Sequence, residues 1–375
     1  MKILTLSNCP LNESQGSGYV TVNYARGLAA RGHEVTLLGP ESLELWCGWR
    51  GARRHRLALG MLASVLTRMT RRHYDIVEFY GADSCLAVAA LRRWPARRSL
   101  LVNHSNGLEP HCEERMKRWL GHATLDGAPP RCHQTVLRLP LASAFRGSDA
   151  LVTVSENDAA YACARHFPSS GRLLAIENPL PDSFLAQEVS FPRMPHIGYC
   201  GSWLPLKGCR LIADALPRVL AEFPAARLTL VGVGEGFRTE DHFPQALLDR
   251  ISVRPFIADK EELRRTFKSL SIAIVPSIYE SFCLAAAEAM ACGCALVATQ
   301  TGFAASLRHR EEAITFAEPT AEALADGLRT LLHDDPLRER VARGGYVRVQ
   351  QLRWDVAISR LEEAYTRWLA EVRAS

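Results

Sequence analysis

Residues 275–293 read VPSIYESFCLAAAEAMACG. The run Ile272–Val275 that leads in is short and apolar and stops at Pro276, which predicts a buried strand. A polar turn follows. Then Leu284–Cys292 is apolar on every side and closes at Gly293, as a buried helix does. This strand–turn–helix puts Glu280 in the turn, at the carboxyl end of the strand, and Glu288 inside the helix eight positions later. The amides of Phe282, Cys283 and Leu284 then lie at a helix N-terminus, where a diphosphate is attracted. A carboxylate beside them can accept hydrogen bonds from sugar hydroxyls. The plain alternative is an exposed turn glutamate and a glutamate on a solvated helix face. Glu288 argues against it, because Ala285–Ala287 and Ala289–Ala291 flank it with apolar residues.

Outward from this stretch the chain alternates short apolar runs with amphipathic segments. Strands are predicted at Lys2–Ser7, Glu34–Leu38, Asp75–Phe79, Leu100–Asn103 and Ala150–Val154, with helices at Tyr19–Arg31 and Leu57–Arg72. Asn178–Pro195 carries four prolines without helical period and reads as a linker. The alternation restarts with strands at His196–Tyr199, Arg227–Val231, Ile272–Val275 and Ala295–Ala298. Helices are predicted at Cys209–Glu222, Glu261–Lys268, Leu284–Cys292, Ala321–Leu332 and Trp354–Ala370. Repeated βαβ order means parallel sheets with helices on both faces. The expectation is two doubly wound α/β domains facing a cleft, with ligands at the carboxyl ends of the strands. The predicted boundaries are 1–185, 196–350 and a final helix over 351–375 that packs back on the first domain.

A length of 375 residues suits two cores. The start, MKILTLSNCP, lacks the features of a signal peptide, and no apolar run is long enough to span a bilayer, so a cytoplasmic protein is expected. The 11 cysteines are scattered without a C-x-x-C pair, and they read as small buried residues rather than disulfides or metal ligands. The net charge of +5 is unevenly placed. Arg50–Arg98 holds 11 arginines against Asp75, Glu78 and Asp83. Solvated helix faces explain this most simply, and weak peripheral contact with an anionic membrane at the inner face is the other reading. Nucleic acid is not expected, since the arginines are not interleaved with aromatics.

The stretch P-S-x-x-E-S-F-x-L-x-x-x-E-A-M-A-x-G resembles the donor-site signature of the retaining GT-B glycosyltransferases of family 4. The rest of the chain resembles that family too, in order: QGSG at Gln15–Gly18, VSEN at Val154–Asn157, the pair Asn178–Pro179, GYCGSWLPLKG at Gly198–Gly208 and LVGVGE at Leu230–Glu235. The resemblance implies a GT-B architecture of two Rossmann-like domains and sugar transfer from a nucleotide-sugar donor with retention of configuration. The product would belong to cell-envelope polysaccharide, glycolipid or small-glycoside synthesis. It further implies that Lys207 contacts the donor diphosphate, that Glu288 binds the ribose and that Glu280 holds the transferred sugar. Gly16 and Gly18 would bring amides near phosphate or acceptor, and His104 matches a first-domain histidine near the sugar. Ser202, Gly232, Ser281, Phe282, Cys283 and Leu284 complete the donor-binding set, and His104, Lys207 and Glu280 form the catalytic set. No cofactor is implied. Nor is a metal, since the chain holds no Asp-x-Asp.

Two departures stand out. Ser202 occupies a place where the family has arginine, which leaves Lys207 one cation short; Arg210 is a nearby substitute. Cys283 stands where glycine is usual and narrows the pocket. A nucleotide-sugar epimerase of the same build and a non-catalytic nucleotide-sugar binding subunit are the competing readings. The sequence names neither base, sugar nor acceptor.

Overall fold

The computed structural model describes residues 1–374 apart from 14–15, 47–50, 95–96, 123–138 and 192. Gln15, Cys47, Arg50, Cys132 and Pro192, drawn on in the reading above, lie outside the described residues. The chain divides into two compact units. The first draws its described residues from Met1–Glu113, Pro129–Pro179 and Trp354–Ser375, and the second from Glu114–Ala128 and Leu180–Arg353.

The first unit holds a parallel sheet in the order β2-β1-β3-β4-β5-β6. Its strands are β1 (Lys2–Ser7), β2 (Glu34–Leu38), β3 (Ile76–Tyr80), β4 (Leu100–Ser105), β5 (Ala150–Thr153) and β6 (Leu173–Ala175). β1 and β3 pair from Ile3 opposite Ile76 to Ser7 opposite Tyr80. β1, β3, β4 and β5 are buried along nearly their whole length, as a sheet covered on both faces must be. The helix Arg53–Arg71 sets Leu57, Met61 and Val65 into a core with Leu4, Leu6, Val77 and Phe79. The helix Trp354–Ala374 packs against Gly16–Ala30, where a Cβ on Gly27 would come within 1.9 Å of Ile358. Glycine at 27 is what lets these two helices meet.

The second unit repeats the plan with the order β12-β11-β10-β7-β8-β9. The strands are β7 (His196–Cys200), β8 (Arg227–Val231), β9 (Ile251–Arg254), β10 (Ile272–Val275), β11 (Ala295–Thr299) and β12 (Ile314–Phe316). Ile212, Leu216 and Val219 of the helix Cys209–Glu222 and Leu324, Leu328 and Leu331 of Ala321–His333 meet Ile197, Leu228 and Ile274 in its core. Connections leave β7 toward β8 on one side and cross to β10 on the other. The topological switch point therefore lies between β7 and β10, where ligands of open α/β sheets bind.

Every strand and helix predicted from periodicity is present. The additional strands β6, β9 and β12 all lie at sheet edges. Edge strands face solvent on one side and lose the continuous apolar pattern; β9 is intermediate or exposed throughout. Additional helices occupy Cys85–Arg92, Glu109–Leu120, Ala142–Gly147, Glu156–Ala164 and Asp335–Val349. Among the described residues no helix is long and apolar enough to cross a membrane. Each cysteine among them is a free thiol.

Candidate functional site

The stretch at residues 275–293 folds as the strand β10, a turn and the helix Leu284–Ala291. Cys283 stands at the helix N-cap with φ 79° and ψ 79°, in the left-handed region, and its side chain makes no capping hydrogen bond to the described residues. Glycine would adopt this conformation without strain, whereas a cysteine there stores roughly 1–2 kcal/mol. The turn is held from behind. The Glu280 amide donates to Thr301 Oγ1 at 3.1 Å, and Gly302, at φ 55°, lets the backbone pass so close that a Cβ would stand 2.9 Å from the Glu280 carbonyl oxygen.

Across the switch point, β7 leads through Gly201 and Ser202 into a short turn, Pro205–Lys207, ended by Gly208 at φ 79°. A Cβ on Gly208 would stand 2.2 Å from the carbonyl oxygen of Pro276, and the Ile278 amide donates to the Leu206 carbonyl at 2.8 Å. The Lys-Gly turn and the strand-end turn are thus clamped together. The result is that Lys207 Nζ donates to both oxygens of Glu280, at 2.7 and 2.9 Å. Ser277 Oγ adds a third donor to Glu280 at 2.7 Å. Glu280 is 8% exposed, so a charged carboxylate is held at the strand end by a lysine that remains one-third exposed.

Glu288 is 4% exposed, with its carboxylate accepting from Lys260 Nζ at 2.7 Å. Burial raises its pKa above the ordinary glutamate range, and Lys260 works against that shift. Lys260 opens the helix Lys260–Lys268 behind its cap Asp259, whose carboxylate accepts the Glu261 amide. The sequence held no signal for this pairing: Lys260 lies 28 positions from Glu288 and reads as an ordinary first-turn residue. Arg210, the nearby substitute for the cation lacking at Ser202, is exposed on the helix Cys209–Glu222. Ser202 is met through its backbone, its carbonyl accepting from the Tyr199 hydroxyl at 2.8 Å. Gly232 ends β8 at φ 74°, and Phe282 packs its ring on Phe303 at 5.0 Å. Among the described residues, no three His, Cys, Asp or Glu side chains are grouped to share a metal ion.

The remaining expected site residues belong to the first unit. Gly16 begins its helix at φ 46° with open space where a Cβ would stand. Gly18 has a different reason to be glycine: a Cβ there would lie 2.3 Å from the carbonyl oxygen of Pro10. His104, expected to present its ring at a strand end, is instead 4% exposed and stacked on Tyr80 at 4.5 Å. Its Nε2 meets the Tyr365 hydroxyl at 2.6 Å, and that hydroxyl donates to Glu78. Burial pushes its pKa down to about 3 although the Glu78 carboxylate lies 3.9 Å away, so the ring is neutral. Register explains the difference. β4 runs on to Ser105, so His104 is inside the sheet, and Asn106 is the first residue beyond it, with a buried Nδ2 that has no hydrogen-bond partner among the described residues.

Family models match both units: "Glycosyltransferase Family 4" over residues 14–183 and "Glycosyl transferases group 1" over residues 194–334. The chain belongs to the family 4 glycosyltransferases. Curated relatives of this chain include a phosphatidyl-myo-inositol mannosyltransferase of Mycobacterium tuberculosis, 32% identical over 43% of this chain and 44% of the relative. A D-inositol 3-phosphate glycosyltransferase of Xylanimonas cellulosilytica is 30% identical over 46% of this chain and 42% of that one. The matched segments span less than half the length of these relatives. Among solved structures, sucrose-phosphate synthase from Thermosynechococcus elongatus superposes with a TM-score of 0.77 at 17% identity, covering 99% of this chain and 100% of that chain. The Anabaena protein HepE in complex with UDP-glucose superposes at 0.65 and 17% identity, covering 98% of this chain and 100% of that chain. These likenesses establish the two-sheet α/β fold of the GT-B glycosyltransferases.

Proposed function

We propose that this glycosyltransferase moves a sugar from a nucleotide-sugar donor to an acceptor hydroxyl with retention at the anomeric carbon. The observation that carries the reading is the Lys207–Glu280 contact at the switch point, beside the uncapped helix Leu284–Ala291 and the buried Glu288. A donor diphosphate would exchange with Glu280 for the Lys207 ammonium and lie against the helix N-terminus. Glu280, so released, would accept hydroxyls of the transferred sugar, and Glu288 those of the ribose. The glycosidic bond to the diphosphate loosens first. Lys207 and the helix amides stabilise the departing charge, a contribution of several kcal/mol in comparable oxyanion sites. The acceptor hydroxyl attacks from the same face and passes its proton to the departing phosphate.

HepE holds UDP-glucose in a structure of the same fold, and the two named relatives act on inositol-bearing acceptors, which supports a nucleotide-sugar donor and a polyol acceptor in envelope or glycolipid synthesis. Peripheral contact with an anionic membrane belongs to the same reading on narrower ground. Arg56 is buried against Glu44, and the helix Arg53–Arg71 spends its apolar face on the core. Arg53, Arg54, Arg71 and Arg72 are the exposed arginines left to it. The deciding experiment is a panel of nucleotide sugars scored by thermal stabilisation, then by nucleotide release with and without a polyol acceptor. Stabilisation by none of them would refute the donor site, and release independent of acceptor would refute transfer.

A further inference from the structure

The second unit presents two lysine–glutamate pairs side by side. Lys207 is held by Glu280, and Lys260 by Glu288 at 2.7 Å. Both lysines are about one-third exposed while both carboxylates are nearly closed to solvent. Both carboxylates belong to one strand–turn–helix, residues 275–293. Burial pushes the Cys200 thiol up to about 12, and the charges that act on it are Glu288, Lys260 and Lys207. Cys200 directly precedes Gly201 and Ser202, the loop that leads to Lys207. So the Lys260 ammonium is held on the helix whose N-terminus would receive the diphosphate, although it comes from another element. Its anchor there is the very carboxylate assigned to the ribose.

A nucleoside diphosphate brings several negative charges and a pair of ribose hydroxyls. The hydroxyls need acceptors and the phosphates need cations. Each lysine occupies the acceptor that a hydroxyl would take. We propose that Lys260 is a second diphosphate-binding cation, parked on Glu288 until the ribose displaces it toward the phosphates, in exchange for the contact it gives up. This rests on the donor-site reading above and supplies the positive charge that Ser202 does not. Ligand binding then rearranges both pairs together: carboxylates pass to hydroxyls and ammoniums to phosphate oxygens.

The test measures dissociation constants of the full chain for UDP, GDP, ADP, CDP and TDP, and then for the nucleoside of whichever diphosphate binds best. Lys260→Gln is expected to weaken the diphosphate at least tenfold while leaving the nucleoside unchanged or tighter, because Lys260 no longer competes for Glu288. Lys260→Arg should retain diphosphate affinity to within about threefold. The salt dependence of diphosphate binding should also become shallower in Lys260→Gln. Equal weakening of nucleoside and diphosphate would show that Lys260 merely holds Glu288 in place, and unchanged diphosphate affinity would remove it from the site; either result overturns the proposal. If the wild-type chain bound none of the five diphosphates, the donor site itself would fall. Lys260→Met, which keeps the apolar stem, serves the same comparison if Lys260→Gln does not fold.

Discussion

Tyr365→Phe removes one oxygen from the centre of a buried chain. Thr5 Oγ1 donates to Glu78 at 2.5 Å, the Tyr365 hydroxyl donates to the other Glu78 oxygen, and His104 Nε2 meets the same hydroxyl at 2.6 Å. The ring itself is fully buried and would be kept by phenylalanine, so the substitution isolates the hydrogen bonds. A hydrogen bond to a charged group is worth about 1.5–3 kcal/mol, and a neutral one about 1 kcal/mol. Burial raises the Glu78 pKa, and its bonds to Thr5 and Tyr365 hold it down. The variant therefore raises it further. A carboxyl whose folded pKa lies above its unfolded value favours folding most at low pH and loses that contribution as pH rises through the folded value. The penalty of Tyr365→Phe should accordingly be larger at pH 8 than at pH 5, between limits of about 1 kcal/mol for the bond to the protonated acid and about 3 kcal/mol for the bond to the carboxylate. Urea unfolding of both proteins at the two pH values measures it. A penalty below about 0.5 kcal/mol, or one that does not change with pH, would refute this account of the network.

Glu288→Ala should weaken binding of the nucleoside diphosphate about tenfold or more, whereas Glu280→Ala should chiefly lower turnover, as calorimetry and initial rates will show. Activity should survive EDTA, since the leaving diphosphate is assigned to Lys207 and a helix N-terminus; complete loss restored by magnesium or manganese would contradict that assignment. Four exposed arginines at about 1 kcal/mol each near anionic lipid predict weak cosedimentation with anionic vesicles, lost at high salt, and none with neutral ones. Equal binding to both vesicle types would leave the helix Arg53–Arg71 with a packing role alone.

The local parts of the site were legible in the sequence because each is contiguous. Strand, turn and helix at residues 275–293 follow from an apolar run, a proline and a closing glycine, and the structure places Glu280 and Glu288 where that pattern puts them. What the sequence hid is pairing across the chain. Lys260 meets Glu288, Thr301 holds Glu280, and Tyr365 reaches His104, each joining segments 21 to 261 residues apart. His104 shows the limit of reading a strand end from an apolar run. Asn103, His104 and Ser105 are polar, yet all three lie within β4 and are buried there. Polar residues continue a strand when the sheet supplies partners for them, and that is decided by tertiary neighbours rather than by local pattern.

The first unit is discontinuous, and this has a consequence in time. Its sheet is complete once residue 175 has left the ribosome, but Tyr365 is made only after every residue of the second unit. Until then Glu78 and His104 lack the hydroxyl that joins them, and the face that receives Leu361, Trp368 and Leu369 is uncovered. The second unit, contiguous from Leu180 to Arg353 but for one earlier segment, can close first. The last helix then acts as a latch on a half-built neighbour, so a chain that stalls late in synthesis carries an exposed apolar stripe and a buried acid short of a partner. Exposed apolar surface of that kind makes an incomplete chain prone to aggregation and proteolysis.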